Sequence, residues 1–162
     1  MVTVKEILEN ARKFGRDGKY QAVEFDQILQ HQYDLAQKRI YFAIQFRGST
    51  GLYNTRVAIY DVEPDGITPE EIKAGKYPMP KDFMNCRVKV DCDCKDYTLG
   101  GALKGNLKHD AALFTDAELT NYKKKTDRQE KNPDNLPYCC KHIYSMLEAL
   151  SAMETLEYFG AK

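Results

Sequence analysis

The chain has 162 residues, enough for one domain with a sizeable core, and its 24 basic residues are balanced by 24 acidic ones to a net charge of zero. A composition 43% hydrophobic and 30% charged excludes a disordered chain. No apolar run approaches the ~20 residues that span a bilayer, so no membrane partner is expected. Neutrality also lowers the expectation of nucleic-acid binding, which usually draws on an excess of Lys and Arg.

Residues 3–14 read as an amphipathic helix. Thr3 and Glu6 have capping-box spacing, Val4, Ile7, Leu8, Ala11 and Phe14 repeat at helical intervals, and Gly15 is placed to stop the run. From Tyr20 to Val62 the texture is that of strands. Val23 and Phe25 alternate with polar residues, whereas Ile28–Gln32 fits either strand or helix. Arg39–Phe46 is rich in β-branched and aromatic residues and predicts a strand, with Gly48–Gly51 as its turn and Arg56–Val62 as the return of a hairpin. Glu63-Pro64-Asp65-Gly66 predicts a turn, Thr68-Pro69-Glu70-Glu71 opens a short helix ending by Gly75, and Pro78 and Pro80 predict a loop.

Phe83–Cys94 alternates, with Cys86, Val88, Val90, Cys92 and Cys94 on one face and Arg87, Lys89, Asp91 and Asp93 on the other. On a flat strand the Cβ atoms of Cys92 and Cys94 would stand about 7 Å apart, so convergence on one ion requires the chain to turn at Cys94. Residues 98–137 read as a long loop, with Gly100-Gly101, Gly105 and Asn106 as its mobile signals. Within it, Ala111–Tyr122 could form a helix, and the Lys123-Lys124-Lys125 run reads as solvated. From Cys140 to Tyr158 an apolar stripe of Ile143, Met146, Leu147, Leu150, Met153 and Leu156 predicts the strongest helix, closed by Gly160.

Two short stretches carry the chemistry. Val90-Asp91-Cys92-Asp93-Cys94 supplies Cys-x-Cys, and Tyr138-Cys139-Cys140-Lys141-His142 supplies Cys-x-His. Three soft sulfurs and one imidazole are the donor set of a closed, tetrahedral structural zinc site, so Cys92, Cys94, Cys140 and His142 are the candidate ligands and Zn2+ the candidate cofactor. Cys139 competes with Cys140 for the third position, but only Cys140 has the Cys-x-His spacing. Residues i and i+2 of a helix point apart, so Cys140 is expected just before the helix or at its cap. There the orphan amides would favour a thiolate. Cys86 reads as a small buried hydrophobe, and His31 and His109 as surface or internally satisfied residues.

This Cys-x-Cys…Cys-x-His pattern resembles the SWIM zinc finger, in which a strand leads into the first pair and a helix begins at the second. The resemblance covers residues 85–158 and implies a ββα arrangement. It also implies a non-catalytic finger in a protein that binds DNA or other proteins. The 45-residue spacer between Cys94 and Cys140 is long for that family. The layout as a whole, a small β-rich N-terminal half followed by such a finger, also resembles small proteins of large tailed bacteriophages.

Enzyme motifs are missing. There is no phosphate-binding glycine loop, no Gly-x-Ser-x-Gly and no zinc-deaminase pattern, and a Cys139–His142 dyad has no visible orienting group. The acidic group Asp91, Asp93 and Asp96 reads as a solvated strand face rather than a cation site.

The sequence thus predicts an α+β fold in a single domain, 1–162. A helix and antiparallel strands fill 1–84, and a SWIM-like zinc part fills 85–158 around the inserted loop 98–137. The expected role is a non-enzymatic, zinc-stabilised assembly protein that binds other protein subunits in an oligomer, such as a head, neck, tail or baseplate component of a phage virion. The alternative is a nucleic-acid-binding finger. No small-molecule substrate is expected. Met1–Glu6 lacks the layout of a secretory leader, so the expected location is the cytoplasm during synthesis and, for a phage protein, the virion afterwards. Reducing conditions there favour metal over disulfides.

Overall fold

Thr3 begins the first helix, α1 (Val4–Lys13), through a complete capping box. Its hydroxyl accepts the Glu6 N–H at 3.2 Å, and the Glu6 carboxylate accepts the Thr3 N–H at 2.8 Å. Val4, Ile7, Leu8 and Ala11 form the buried stripe, Phe14 is the C-cap, and Gly15 takes the left-handed conformation (φ +69°) that stops a helix. Thr3→Ala should cost about 1 kcal/mol of stability, read as a lowered urea midpoint with an unchanged slope. No change would mean that packing alone sets this helix start.

The computed structural model describes residues 2–15, 23–34, 36–48, 51–62, 68–74, 77–78, 80, 82–94, 97–98, 102–113, 134–152 and 155–156. Its main sheet is antiparallel, in the order β1-β2-β3-β5 (Glu24–Asp34, Arg39–Gly48, Gly51–Ile59 and Val88–Cys92). With its helices this is the expected α+β architecture. The Ile28–Gln32 ambiguity resolves as strand. Register shifts between Phe25 and Gln27 and between Ile28 and Gln30 break the alternation, which is why no clean period of two is visible there.

The hairpin is tighter than its sequence expectation. β3 pairs with β2 from Gly51 opposite Gly48 and ends at Ile59. Tyr60–Val62 leave the sheet, Asp61 adopts φ +63°, and the Tyr60 and Val62 amides donate to the Arg87 and Lys38 carbonyls. At the tip, a Cβ on Gly48 would collide with the Tyr53 ring.

One sheet face is the core face. Ile40, Phe42, Ile44 and Phe46 of β2 are buried with Val57 and Ile59 of β3 and with Val88, Val90 and Cys92 of β5. A helix, α4 (Lys141–Ser151), packs on β3 and β5, and α1 packs on α4 and on the 3-10 turn Phe83–Asn85. Phe83–Cys94 is therefore not one strand, although its alternation holds: Cys86, Val88, Val90, Cys92 and Cys94 are all buried.

The opposite face is polar. A side-chain amide row runs Gln27–Gln45–Asn54, with 3.0 Å bonds at each step. Asp91 departs from expectation here, being buried and ion-paired with Arg56 rather than solvated, whereas Asp93 is exposed and accepts the Asn54 N–H; Asp96 lies outside the described residues.

The outer edge of β5 is covered. Val88 N donates to Val2 O, Val90 N to Ala111 O, and Leu113 N to Val90 O, all at 2.8–2.9 Å. The expected helix 111–122 is thus not formed at its start, because residues 111–113 are extended along β5; the rest of it, with Lys123–Lys125, lies outside the described residues. The inserted segment instead folds earlier, as α3 (Ala102–Lys108), and Asn106 is buried rather than mobile.

A short helix, α2 (Pro69–Ala74), forms as expected, with the Thr68 hydroxyl accepting the Glu71 N–H at 3.1 Å. Pro78 is in a strand rather than a loop: β4 (Tyr77–Pro78) pairs with β6 (Thr155–Leu156). For the same reason α4 stops at Ser151 instead of running to Tyr158. The turn 63–66 and Gly160 lie outside the described residues. Among the described residues, no helix is long and apolar enough to cross a membrane.

Candidate metal centre

β5 delivers Cys92 at its last position, inward and fully buried, opposite Thr55 of β3. The strand ends there, and a helical turn in which Thr98 N donates to Cys94 O (3.1 Å) swings Cys94 round, as the spacing argument requires. Leu136–Cys140, without regular secondary structure, leads into α4, with Cys140 as its extended N-cap (φ −76°, ψ 173°) and His142 in the first turn. Cys140 sits at the cap as expected, but its sulfur makes no capping hydrogen bond. It lies instead 3.9 Å from His142 Nδ1.

The four sequence-derived candidates, Cys92, Cys94, Cys140 and His142, are brought together. One donor atom from each lies within 4.8 Å of all the others, and all four residues are buried. Cys92 Sγ is 3.8 Å from His142 Nδ1. Tetrahedral bonds of about 2.3 Å to sulfur and 2.0 Å to nitrogen set ligand atoms roughly 3.5–3.8 Å apart. The cluster therefore fits a metal ion with a small inward adjustment. None of the chain's five cysteines is in a disulfide, so no disulfide competes for these sulfurs.

The electrostatics point the same way. Burial pushes the Cys92 and Cys140 thiols well above the ordinary thiol range. Cys94 is held far below it by hydrogen bonds from Cys140 and Cys92, with His142 and the Tyr97 N–H adding to them. Cys94 is thus the sulfur most readily ionised, and a divalent cation would let all three sulfurs ionise while leaving the site only a single net negative charge.

Neighbours fix the ligands. The Tyr97 N–H donates to Cys94 Sγ at 3.4 Å, and the Thr55 hydroxyl lies 3.4 Å from Cys92 Sγ. The His142 ring lies against the rings of Phe46 and Tyr53, cross-strand partners of β2 and β3, with centroids at 5.6 and 5.0 Å. Sequence reasoning missed Thr55, Tyr97, Asn106 and Tyr138. The aromatic residues beside each Cys pair were the only available signal for them.

Cys139 is buried but outside the cluster. Cys86 is buried on the inward face as expected, and burial together with Asp61 and Asp82 raises its thiol to about 11. His31 stacks on Phe42 at 4.9 Å, and His109 is exposed. No protein-family model matches the chain, and neither the curated proteins nor the solved structures contain a significant match to it.

Proposed function

We propose that the chain is a non-enzymatic protein-interaction module in which Zn2+ fastens β5 to α4. The observation that carries this reading is the buried cluster of three sulfurs and one imidazole, all from this chain, at a strand–helix joint. Four protein ligands fill a tetrahedron and leave no position for a reacting water, so the ion holds structure and does not activate substrate. The donor spacing supports a SWIM-like finger. A place in a tailed-phage virion rests on the overall layout of the sequence.

A protein partner is favoured over nucleic acid by what the sheet exposes. Arg47, Arg56, Arg87 and Lys89 are each paired with a carboxylate: Asp26, Asp91, Asp61 and Asp110. Those cations are therefore already neutralised and poorly suited to collecting phosphates. Among the described residues, Phe25 and Leu29 on β1 and Leu52 at the hairpin tip are the exposed large apolar side chains, at 38%, 47% and 50%, which suits a protein contact.

Native mass spectrometry on freshly purified protein tests both parts. One zinc per chain in a defined oligomer is the expected result. One zinc on a monomer, with DNA binding that weakens steeply as salt rises, would replace the assembly reading with the nucleic-acid one. Protein that takes up no zinc would overturn the metal reading.

A further inference from the structure

The inserted segment between the two Cys pairs does more than connect them. Asn106, on α3, is fully buried, and its Nδ2 donates to the Tyr97 hydroxyl at 3.3 Å and to the Tyr138 carbonyl at 2.9 Å. The Tyr97 hydroxyl in turn donates to the Val90 carbonyl at 2.9 Å. Each of these residues neighbours a candidate ligand in sequence: Val90 lies two residues before Cys92, Tyr97 three after Cys94, and Tyr138 two before Cys140. The Asn106 carbonyl also accepts the Ala111 N–H at 2.8 Å, which sets the segment that covers β5.

The orientation of the amide is fixed by these partners. Tyr138 O can only accept, and Tyr97 spends its proton on Val90, so both need a donor. Asn106 Oδ1 is left without a hydrogen-bond partner, a burial penalty that a leucine of similar size would avoid while losing both donor bonds. We propose that Asn106 is the positioning residue of the metal centre, joining the Cys92/Cys94 half to the Cys140/His142 half before any ion binds. It touches no ligand atom and acts through Tyr97, whose N–H reaches Cys94 Sγ, and through Tyr138. The described part of the insertion around α3 is then a preorganising clamp that lowers the ordering cost of binding the ion. This rests on the zinc reading only for the identity of the ion, because the clamp itself is a property of the metal-free chain.

The test compares wild type, Asn106→Asp and Tyr97→Phe, with Thr3→Ala as a destabilised control remote from the network. Asn106→Asp replaces the donor with an acceptor facing Tyr138 O. Tyr97→Phe keeps the ring and removes the shared hydroxyl, so the proposal stays testable if the first variant fails to fold. In chelator, maleimide should label Cys94 and Cys140 at least about tenfold faster in Asn106→Asp than in wild type, and several-fold faster in Tyr97→Phe. Cys86 labelling should stay unchanged. Zinc affinity, by competition with a chromophoric chelator, should fall about 10- to 100-fold in Asn106→Asp and stay at the wild-type value in Thr3→Ala. The Co2+ spectrum should keep its tetrahedral thiolate signature in both network variants. Chelated wild type that labels as fast as the variants would overturn the proposal. So would variants whose zinc affinity matches the control. If wild type bound no zinc, the reading of the ion would fail, and the labelling rates alone would decide whether Asn106 joins the two halves.

Discussion

Cys92→Ser, Cys94→Ser and His142→Ala should each lose zinc and lower the thermal midpoint by roughly 6–20 °C. The scale follows from the physics of the joint. Structural zinc in small domains binds with an apparent free energy on the order of 10 kcal/mol, and removing a ligand forfeits much of it. This chain has a core of its own, so a loss of roughly 3–5 kcal/mol is the expected share, and at this chain length each kcal/mol moves the midpoint by about 2–4 °C. His142→Ala should be the most damaging of the three, since it also removes the ring packed against Phe46 and Tyr53.

Chelation separates this effect from simple loss of packing. Wild type in chelator should fall to the midpoint of the cysteine variants, and those variants should not respond to chelator at all. Damage should be greatest at α4, where the Tyr144 N–H donates to Cys140 O at 2.9 Å, and hydrogen exchange at that amide should speed up first. Acid should mimic chelation. Burial holds the Cys92 and Cys140 thiols protonated without metal, so binding must release a proton from each, and apparent affinity should fall by about a hundredfold per pH unit of acidification near neutrality. A wild-type midpoint indifferent to chelator, with ligand variants equal to it, would remove zinc from any account of this fold.

What the sequence revealed divides along the line between local and non-local causes. The helix at Val4–Lys13 was legible because its cap, stripe and stop all lie within thirteen residues. The metal quartet was legible because soft donors at two fixed spacings are rare by chance. The cap position of Cys140 followed from helix geometry alone. By contrast, α3 was hidden. Gly105 and Asn106 are poor helix formers, and the hydrogen bonds that hold Asn106 come from residues 9 and 32 positions away. The end of α4 was hidden for a similar reason. Met153 and Leu156 continue its apolar stripe, yet Thr155–Leu156 pairs with Tyr77–Pro78, a contact that no local pattern encodes. Pro78 is tolerated there because a two-residue strand at an edge needs few ladder donors. Asp91 misled in the same way. Alternation placed it correctly on the outer face, but only the β3–β5 register brings Arg56 opposite it.

The sheet core should behave as a second source of stability, separable from the metal. Phe42→Ala is expected to cost about 3–5 kcal/mol, as much as losing a ligand, while zinc content stays at one per chain. Phe42 is almost fully buried on the core face of β2. It lies opposite His31 on one side, with the rings stacked at 4.9 Å, and opposite Val57 on the other. Truncation would leave a void lined by three strands whose backbone pairing resists collapse, so the cost should sit high in that range, and Phe42→Leu should recover most of it. β2 supplies no candidate ligand. It touches the centre through Phe46, four residues along the strand and about 13 Å from Phe42. At that separation the two losses should add. The Phe42→Ala cost measured in chelator should match its cost with zinc bound to within about 0.5 kcal/mol. Strong non-additivity, or loss of zinc from folded Phe42→Ala, would show that the sheet and the metal joint form one cooperative unit, and that the ion organises the core as well as the joint between β5 and α4.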